Sequence, residues 1–341
     1  MRTGRALQGA PGTYRSAIRA HRDDRRGRNG RGRVRALRWA AASLTLLTVL
    51  GHTVLGFESP WSAPVAGVLT GTVAELVLEA VDAWAGRRPV RYLGVPRDRV
   101  ADFLLPSYVC GLLCAMLLYG SGHATPVVVP AVLIGVGSRY VLRVRASGRP
   151  LLNPVATGVA VVLLLLPRAA PAPPHQFTAW VSGPFDVIVP SAVLAAGAVH
   201  AVLAGRVPLL LGWTGGFAAQ ALVRGWLTDV PALAALLPMT GAAFALYACH
   251  VVADPATSPV PARRQVRTGL ATAAVYGLLA HSHVVSAMFL APVVVCAGRA
   301  LWPVLLARAG RAAATSPNGR VSRSPDPPVR EPAGTPPGGP P

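Results

Sequence analysis

Charge is scarce in this sequence. Only 13% of the 341 residues are Asp, Glu, Lys or Arg, whereas a soluble domain usually carries about 25%. Hydrophobic residues make up 52% of the chain, and the mean hydropathy is +0.46. This balance excludes an ordinary soluble domain and indicates that lipid is the solvent of most of the chain.

Lysine is absent altogether, acidic residues number only 13, and the formal net charge is +20. A strong positive charge is compatible with nucleic-acid binding, but here the arginines lie between the long apolar stretches. No basic helix is interleaved with exposed aromatic residues, so we expect no nucleic-acid partner. The pattern is typical of a membrane protein whose basic loops face an anionic leaflet, and the expected partner is the lipid bilayer.

Cysteine is rare too. The four cysteines all fall in apolar stretches, where they do not form the pattern of a disulfide framework and are expected to be small buried residues: Cys110, Cys114, Cys249 and Cys296. The chain also lacks a Walker A loop, a G-x-G-x-x-G after a strand and an H-E-x-x-H. We therefore expect no soluble-type enzyme and predict no catalytic residue.

Long apolar stretches are what the sequence does contain. They predict an all-α fold, a polytopic membrane helix bundle of about ten transmembrane helices, since one crossing needs about 20 apolar residues. We predict a disordered basic cytoplasmic arm over 1–36, a transmembrane domain over 37–307 and a disordered Pro-rich cytoplasmic tail over 308–341. The candidate spans are 37–57, 61–84, 101–120, 125–143, 150–167, 185–205, 207–227, 231–253, 267–282 and 284–306.

The arginines give these spans an orientation. With ten crossings, 31 of the 33 arginines fall on one face, and only Arg168 and Arg224 fall on the other. The positive-inside rule places the arginine-rich face in the cytoplasm. The expected location is the cell inner membrane, with the N- and C-termini cytoplasmic.

Three acidic residues share one face of the second span. Glu75, Glu79 and Asp82 are spaced i, i+4 and i+7. Glu75 would lie about 21 Å along this helix, and Arg139 would lie at a similar depth on the fourth span. Because unpaired charges at that depth are costly, we predict an intramembrane charge pair between Glu75 and Arg139. The alternative is that all four mark the cytoplasmic interface, with the arginine snorkelling.

Five histidines map near the outer face: His52, His123, His175, His281 and His283. A metal or haem site is one reading, and solvated interfacial side chains are the other. Their spans are scattered, so we predict no metal site.

Two short segments open or close predicted spans. Residues 153–158 read NPVATG, where Asn153 can cap a helix and Pro154 suits its first turn. Residues 254–259 read DPATSP, where the prolines end a helix, and Asp254 and Thr257 offer local hydrogen bonds. On these features alone, both segments are also compatible with simple helix ends.

An N-P-x-x-x-G that opens a span, followed about 100 residues later by a D-P-x-T-S-P, resembles the RnfD/NqrB family. These are the membrane subunits of Rnf and sodium-pumping NADH:quinone oxidoreductase complexes. The stretch LLLGWTGG at 209–216 lies where that family has its Gly-rich helix. The resemblance covers roughly residues 35–307 and is nearest to the RnfD-like proteins of enediyne biosynthesis clusters, the UnbU type.

The resemblance implies a flavin, electron movement coupled to ions, and other membrane redox subunits as partners. It makes Asn153, Asp254 and Thr257 the candidate cofactor-binding residues. The family attaches its flavin to Thr in an S-G-A-T segment between the two motifs, and this interval contains none. Ser182-Gly183 is followed by proline, and the SGHAT at 121–125 lies before Asn153. Two alternatives are left. The chain binds FMN or riboflavin without a covalent link, or it has lost the flavin.

The resemblance implies a membrane subunit of an ion-translocating electron transport complex, and its nearest type implies service in enediyne-type secondary metabolism. An accessory, non-catalytic subunit is favoured over an enzyme. One alternative is a small-molecule transporter or efflux permease, since both halves of the chain would hold five spans. A membrane scaffold without chemistry is the third.

Overall fold

The computed structural model describes residues 11–57, 59–120, 125–144, 148–173, 183–227 and 231–314; the side chains of 11–31, 186, 232 and 303–314 are not described. Each predicted span contains helix. The helices are α1 (Pro11–Thr53), α2 (Ser62–Ala85), α3 (Arg97–Leu117), α4 (Thr125–Val141), α5 (Pro154–Leu165), α6 (Phe185–Leu203), α7 (Val207–Leu227), α8 (Ala232–Leu236), α9 (Ala242–Leu246), α10 (Ala262–His281) and α11 (Ala287–Ala314).

Three of the described helices are long and apolar enough to cross a membrane: Gly32–Thr53 within α1, then α2 and α3. A fourth crossing is possible by the same measure, because Leu233–Thr240 and Ala242–Val252 pass together as a pair bent by 69°. Further apolar helices, α4 and α5 among them, are shorter. The fold is thus an all-α membrane-type bundle, and these lengths do not establish ten crossings.

The N-terminal arm differs from the expectation of disorder. Helix α1 begins at Pro11 and runs without a break into its apolar part, while residues 1–10 lie outside the described residues. Arginine and alanine are good helix formers, and a helix that is already nucleated extends readily. At the other end, α11 continues to Ala314, and the predicted tail from 315 onward lies outside the described residues. Residues 301–341 form a unit distinct from 1–300.

The eighth predicted span is broken rather than continuous. A 3-10 turn follows α8 over Leu237–Thr240, and Gly241 then has extended backbone (φ −85°, ψ 145°) before α9 begins. The helix ends in a π-helical segment, Tyr247–Val252. Short π segments within α-helices are frequent at functional sites. Because of the break at Gly241 and the π-helical segment, residues 247–252 lie at positions that a straight helix would not give them.

Small residues allow close helix contacts, as is common in membrane bundles. Helix α2 packs on α3, and a Cβ added to Gly67 would lie 2.5 Å from the Gly111 carbonyl oxygen. Helix α5 packs on α4, where a Cβ on Gly158 would collide with the Ala131 carbonyl. The glycine of the NPVATG segment is therefore required by the α4–α5 contact.

A two-stranded antiparallel sheet was not predicted. Strands β1 (Leu118–Gly120) and β2 (Ala169–Pro171) pair directly after α3 and shortly after α5. With only three residues each, these strands are too short for sequence alternation to reveal them. They join the ends of two helices on the side away from the acidic residues of α2.

Candidate functional site

The acidic residues of α2 and the arginines around them form one polar cluster, here called the acidic layer. Glu75 is only 2% exposed, and its Oε2 accepts a hydrogen bond from Arg139 Nη1 at 2.8 Å. The hydroxyl of Tyr140 donates to the other carboxylate oxygen at 2.9 Å. Each oxygen of Glu75 thus has its own donor from α4, and the structure places the two members of the predicted pair in direct contact.

Glu79 and Asp82 extend the acidic layer toward the α2–α3 loop. Arg88 from this loop donates to both carboxylates, and the pKa of its guanidinium is raised by these hydrogen bonds. The backbone N–H of Arg91 donates to Glu79 at 3.2 Å, and Arg143 reaches Asp82 at 3.2 Å. The i, i+4, i+7 spacing predicted the shared face, whereas the loop partner Arg88 was not visible in that pattern.

The two sequence motifs meet in space. Asn153 caps α5 by accepting from the Ala156 N–H at 2.9 Å, and its Nδ2 donates to the Val251 carbonyl at 2.7 Å. Val251 belongs to the π-helical segment that leads directly into Asp254. One buried side chain therefore caps the start of α5 and binds the π-helical segment before the second motif.

Asp254 organises the loop that follows. Its Oδ1 accepts from the Ala256 N–H at 2.9 Å, and its Oδ2 accepts from the Thr257 hydroxyl at 3.0 Å. Ser258 donates from both its N–H and its hydroxyl to the Asp254 carbonyl. The polar atoms that the sequence offered as ligands are engaged within the loop itself.

Three arginines hold this loop from outside by donating to its carbonyl groups. Arg149 binds the carbonyls of Pro255 (2.7 Å) and Ala256 (3.1 Å), and Arg206 lies 3.4 Å from the Pro255 carbonyl. Arg299 donates to the Thr257 carbonyl at 3.3 Å. Residues 254–258 with these three arginines are called the clamped loop below. Burial lowers the pKa of Arg206, which is almost fully enclosed.

Two small cavities flank the clamped loop. One of about 50 Å³ is lined by Arg139, Asn153, His200, His250 and Asp254, among others. The second, of about 20 Å³, is lined by Asn153, Thr257 and Arg299. Small-molecule sites usually measure about 300–1,000 Å³, and cavities of the present size suit single water molecules. Asn153, Asp254 and Thr257 therefore converge here, but the space beside them does not fit a flavin ring system.

Two histidines at this place were missed by the sequence reasoning. The rings of His200 and His250 stack with centroids 4.8 Å apart and planes at 14°. His200 Nδ1 lies 3.0 Å from the Ala36 carbonyl oxygen. Both ring nitrogens of His250 are enclosed, and the backbone of Leu246, one helical turn earlier, is the polar group beside the ring. The sequence could have indicated both residues, because each lies inside a predicted span. A histidine is uncommon there and points to a function.

The histidines that were singled out lie elsewhere. His52 contacts Phe57 and Trp61, His281 and His283 follow each other at the end of α10, and His123 and His175 lie outside the described residues. Within the described part of the chain, no group of three or more His, Cys, Asp or Glu side chains could hold a metal ion. All four cysteines are buried free thiols.

Fold and site together define a helical membrane protein with a buried acidic layer and an arginine-clamped loop. No protein family model matches the chain, and no curated protein matches it. The assignment to a particular family therefore rests on the two motifs and their geometry, and it is a proposal.

Proposed function

We propose that the chain is a multi-pass protein of the inner membrane, with about ten crossings and both termini in the cytoplasm. Helices within each predicted span and the one-sided arginines support this topology. The test is labelling of the single variants Arg91→Cys and Arg168→Cys with a membrane-impermeant maleimide. In intact spheroplasts only Arg168→Cys should react, and Arg91→Cys should react after lysis.

The unmodified chain serves as the control for this labelling, since its four cysteines are buried. Reaction of both introduced cysteines from the same side would contradict the topology.

We further propose that the protein is a non-catalytic membrane subunit of a redox complex, similar to the RnfD/NqrB family. The observation that carries this proposal is the hydrogen bond from Asn153 Nδ2 to the Val251 carbonyl, at 2.7 Å. It joins the two motifs on which the resemblance rests, although 98 residues separate these partners in the sequence. Two unrelated helix ends would have no reason to share one buried amide. A role in enediyne-type secondary metabolism follows from the same resemblance.

The role of the motif residues is then to fix the cytoplasmic ends of α5 and the broken eighth span relative to each other. The size of the flanking cavities argues against a flavin held at Asn153, Asp254 and Thr257. A rigid clamped loop presents its outer surface in one conformation, which suits docking to another subunit of a complex. In this reading the chain orients the redox subunits, and the redox groups reside in those partners.

The experiment is purification of the tagged chain from its native host in a mild detergent, followed by an absorbance spectrum, intact mass and identification of bound proteins. We expect redox subunits in the complex and an intact mass without a covalent flavin. The matched variant Asn153→Asp should release the partners while keeping the chain in the membrane. A chain that purifies alone in several mild detergents would contradict the proposal.

A small-molecule transporter is the second candidate, and the 69° bend of the eighth span favours it. Discontinuous helices near the middle of the membrane form the substrate sites of many transporters. Reconstitution into proteoliposomes with a panel of lipophilic cations and weak acids tests this candidate. Uptake that Gly241→Val abolishes would favour transport over the redox-complex role.

A further inference from the structure

An open pocket of about 760 Å³ lies between the start of the apolar part of α1, the α2–α3 loop and the first turns of α3. Half of its lining side chains are arginines: Arg35, Arg38, Arg91 and Arg99. The one carboxylate among the lining residues is that of Asp102, and the remaining walls are apolar. The volume is within the range of small-molecule sites, and the balance of charge favours an anionic ligand.

Two of these arginines are bound by carboxylates of the protein. Arg38 donates two hydrogen bonds to Asp102, from Nε at 2.7 Å and from Nη2 at 2.8 Å. Arg91 Nε lies 3.7 Å from the carboxylate of Glu79, which Arg88 already binds. A guanidinium has five N–H donors, so both lining arginines retain donors for a further partner.

The other two lining arginines, Arg35 and Arg99, have no carboxylate partner among the described residues, and both are exposed. Two uncompensated guanidinium groups that face one pocket raise the electrostatic potential there. The planar fork of a guanidinium matches two oxygens of a phosphate group. The pocket therefore presents two positive charges suited to a phosphate, and Asp102 holds Arg38 in a fixed position beside them.

The pocket lies at one end of two helices that are long enough to span a membrane. Hydrogen bonds join Arg38 to Asp102 and Thr45 to Tyr108, so later residues of α1 meet later residues of α3. The two helices therefore run in the same direction, and their arginine-bearing starts lie on the same side. Gly32–Thr53 and α3 each qualify as a crossing, which places these starts at the depth of the lipid headgroups.

The apolar walls favour a lipid over a soluble anion. Val34, Val95 and Phe103 line the pocket beside the arginines. A free phosphate ion would leave this apolar surface uncovered, whereas the glycerol and first methylene groups of a phospholipid would bury it. Basic pockets between transmembrane helices bind anionic lipid headgroups in this way.

We propose that this pocket is a binding site for an anionic phospholipid, whose phosphate binds Arg35 and Arg99 and whose upper acyl chains pack against Val95 and Phe103. The other two arginines supply further donors to the headgroup. A zwitterionic phospholipid carries its own cation, which the arginines repel, so it binds more weakly. The inference rests on the membrane placement of α1 and α3, and it depends neither on ten crossings nor on the redox-complex role.

Native mass spectrometry of the purified, delipidated full chain measures this binding directly. Phosphatidylglycerol and phosphatidylcholine with identical acyl chains are titrated separately in a neutral detergent. We expect the first phosphatidylglycerol molecule to bind about tenfold more tightly than phosphatidylcholine. Equal affinity for the two lipids would overturn the proposal.

Matched double variants separate the pocket from the general positive charge of the chain. Arg35→Gln with Arg99→Gln removes the two uncompensated guanidinium groups, and Arg263→Gln with Arg264→Gln removes two exposed ones at the start of α10. The first pair should weaken phosphatidylglycerol binding about tenfold, and the second should change it by less than about twofold. All four side chains are exposed, so both proteins should unfold at the temperature of the unmodified chain. Equal weakening by the two pairs would reduce the effect to net charge and overturn the site.

Two further measurements distinguish a lipid from a free phosphate. Millimolar inorganic phosphate or glycerol phosphate should displace little phosphatidylglycerol, because neither covers the apolar walls; full displacement would assign the pocket to a soluble anion instead. Phosphatidylglycerol with a photoreactive diazirine near the glycerol end of one acyl chain should label Val95 and Phe103. Labels confined to other helices would place the lipid elsewhere and overturn the site. These readouts need no partner subunit, so they do not share the outcome of the redox-complex experiment.

Discussion

Arginines stabilise both polar regions of this protein, but they bind different partners in each. In the acidic layer, Arg139 and Arg88 bind carboxylates of α2. In the clamped loop, Arg149 and Arg299 bind backbone carbonyls. In the acidic layer, positive and negative charges compensate each other. In the clamped loop, the planar guanidinium groups match the positions of several carbonyl oxygens.

This difference predicts how each region fails. Removing one member of a buried ion pair leaves an uncompensated charge, which is the more costly defect. Removing one donor from a carbonyl leaves a dipole that water at the membrane surface can partly satisfy. The acidic layer should therefore be sensitive to charge, and the clamped loop should be sensitive to geometry.

The largest effect is expected for Glu75→Ala, which leaves the largely enclosed Arg139 side chain, 17% exposed, without its carboxylate partner. We expect a loss of about 3 kcal/mol in the free energy of unfolding, measured by SDS titration of the protein in mixed micelles. The double variant Glu75→Met with Arg139→Met should recover much of that loss, because both charges are then removed.

Asp102→Asn provides the matched control. Asp102 pairs with Arg38 at 2.7 Å, but the Arg38 side chain is 57% exposed, so its loss should change stability little. Equal effects for Glu75→Ala and Asp102→Asn would show that the Glu75 carboxylate is solvated and not part of a buried pair.

The second effect concerns the amide that joins the motifs. Asn153→Asp keeps an oxygen to cap α5 but removes the donor to the Val251 carbonyl, so we expect a loss of about 2 kcal/mol. Asn153→Ala also removes the cap and should cost about 1 kcal/mol more. Thermal unfolding in detergent, followed by tryptophan fluorescence, measures both.

Comparison of the two Asn153 variants separates capping from bridging. If Asn153→Asp unfolds at the same temperature as the unmodified chain, the bridge to Val251 does not stabilise the fold, and the main support for the redox-complex role is lost.

Sequence periodicity predicted much of the helical layout because apolar length is a direct physical requirement of a span. Helix α7 coincides with its predicted bounds, and α2 is displaced by one residue. The break at Gly241 was not predicted, since the residues on both sides are equally apolar. The start of α1 at Pro11 was missed for the opposite reason, because its polarity outweighed its helix propensity.

In the candidate site, too, the sequence predicted some features and missed others. The i, i+4, i+7 spacing predicted that Glu75 shares a face of α2 with Glu79 and Asp82. The similar depth of Glu75 and Arg139 in the membrane predicted that these two residues are neighbours. The contact between Asn153 and Val251 depends on a π-helical turn, which no residue pattern specifies. Likewise, the stacking of His200 on His250 arises from the tertiary approach of α6 to the broken span. Local spacing predicts which residues share a face, whereas contacts between distant elements require the packing itself.

The smallest predicted effect distinguishes shape from charge in the clamped loop. Arg149→Lys keeps the positive charge but replaces a planar fork with one ammonium group, which cannot serve the Pro255 and Ala256 carbonyls with the same geometry. We expect a loss of about 1 kcal/mol in thermal unfolding and faster proteolysis within 254–258. Arg263→Lys, an exposed change at the start of α10, should alter neither. If Arg149→Lys also alters neither, charge alone holds the loop, and the contrast with the acidic layer disappears.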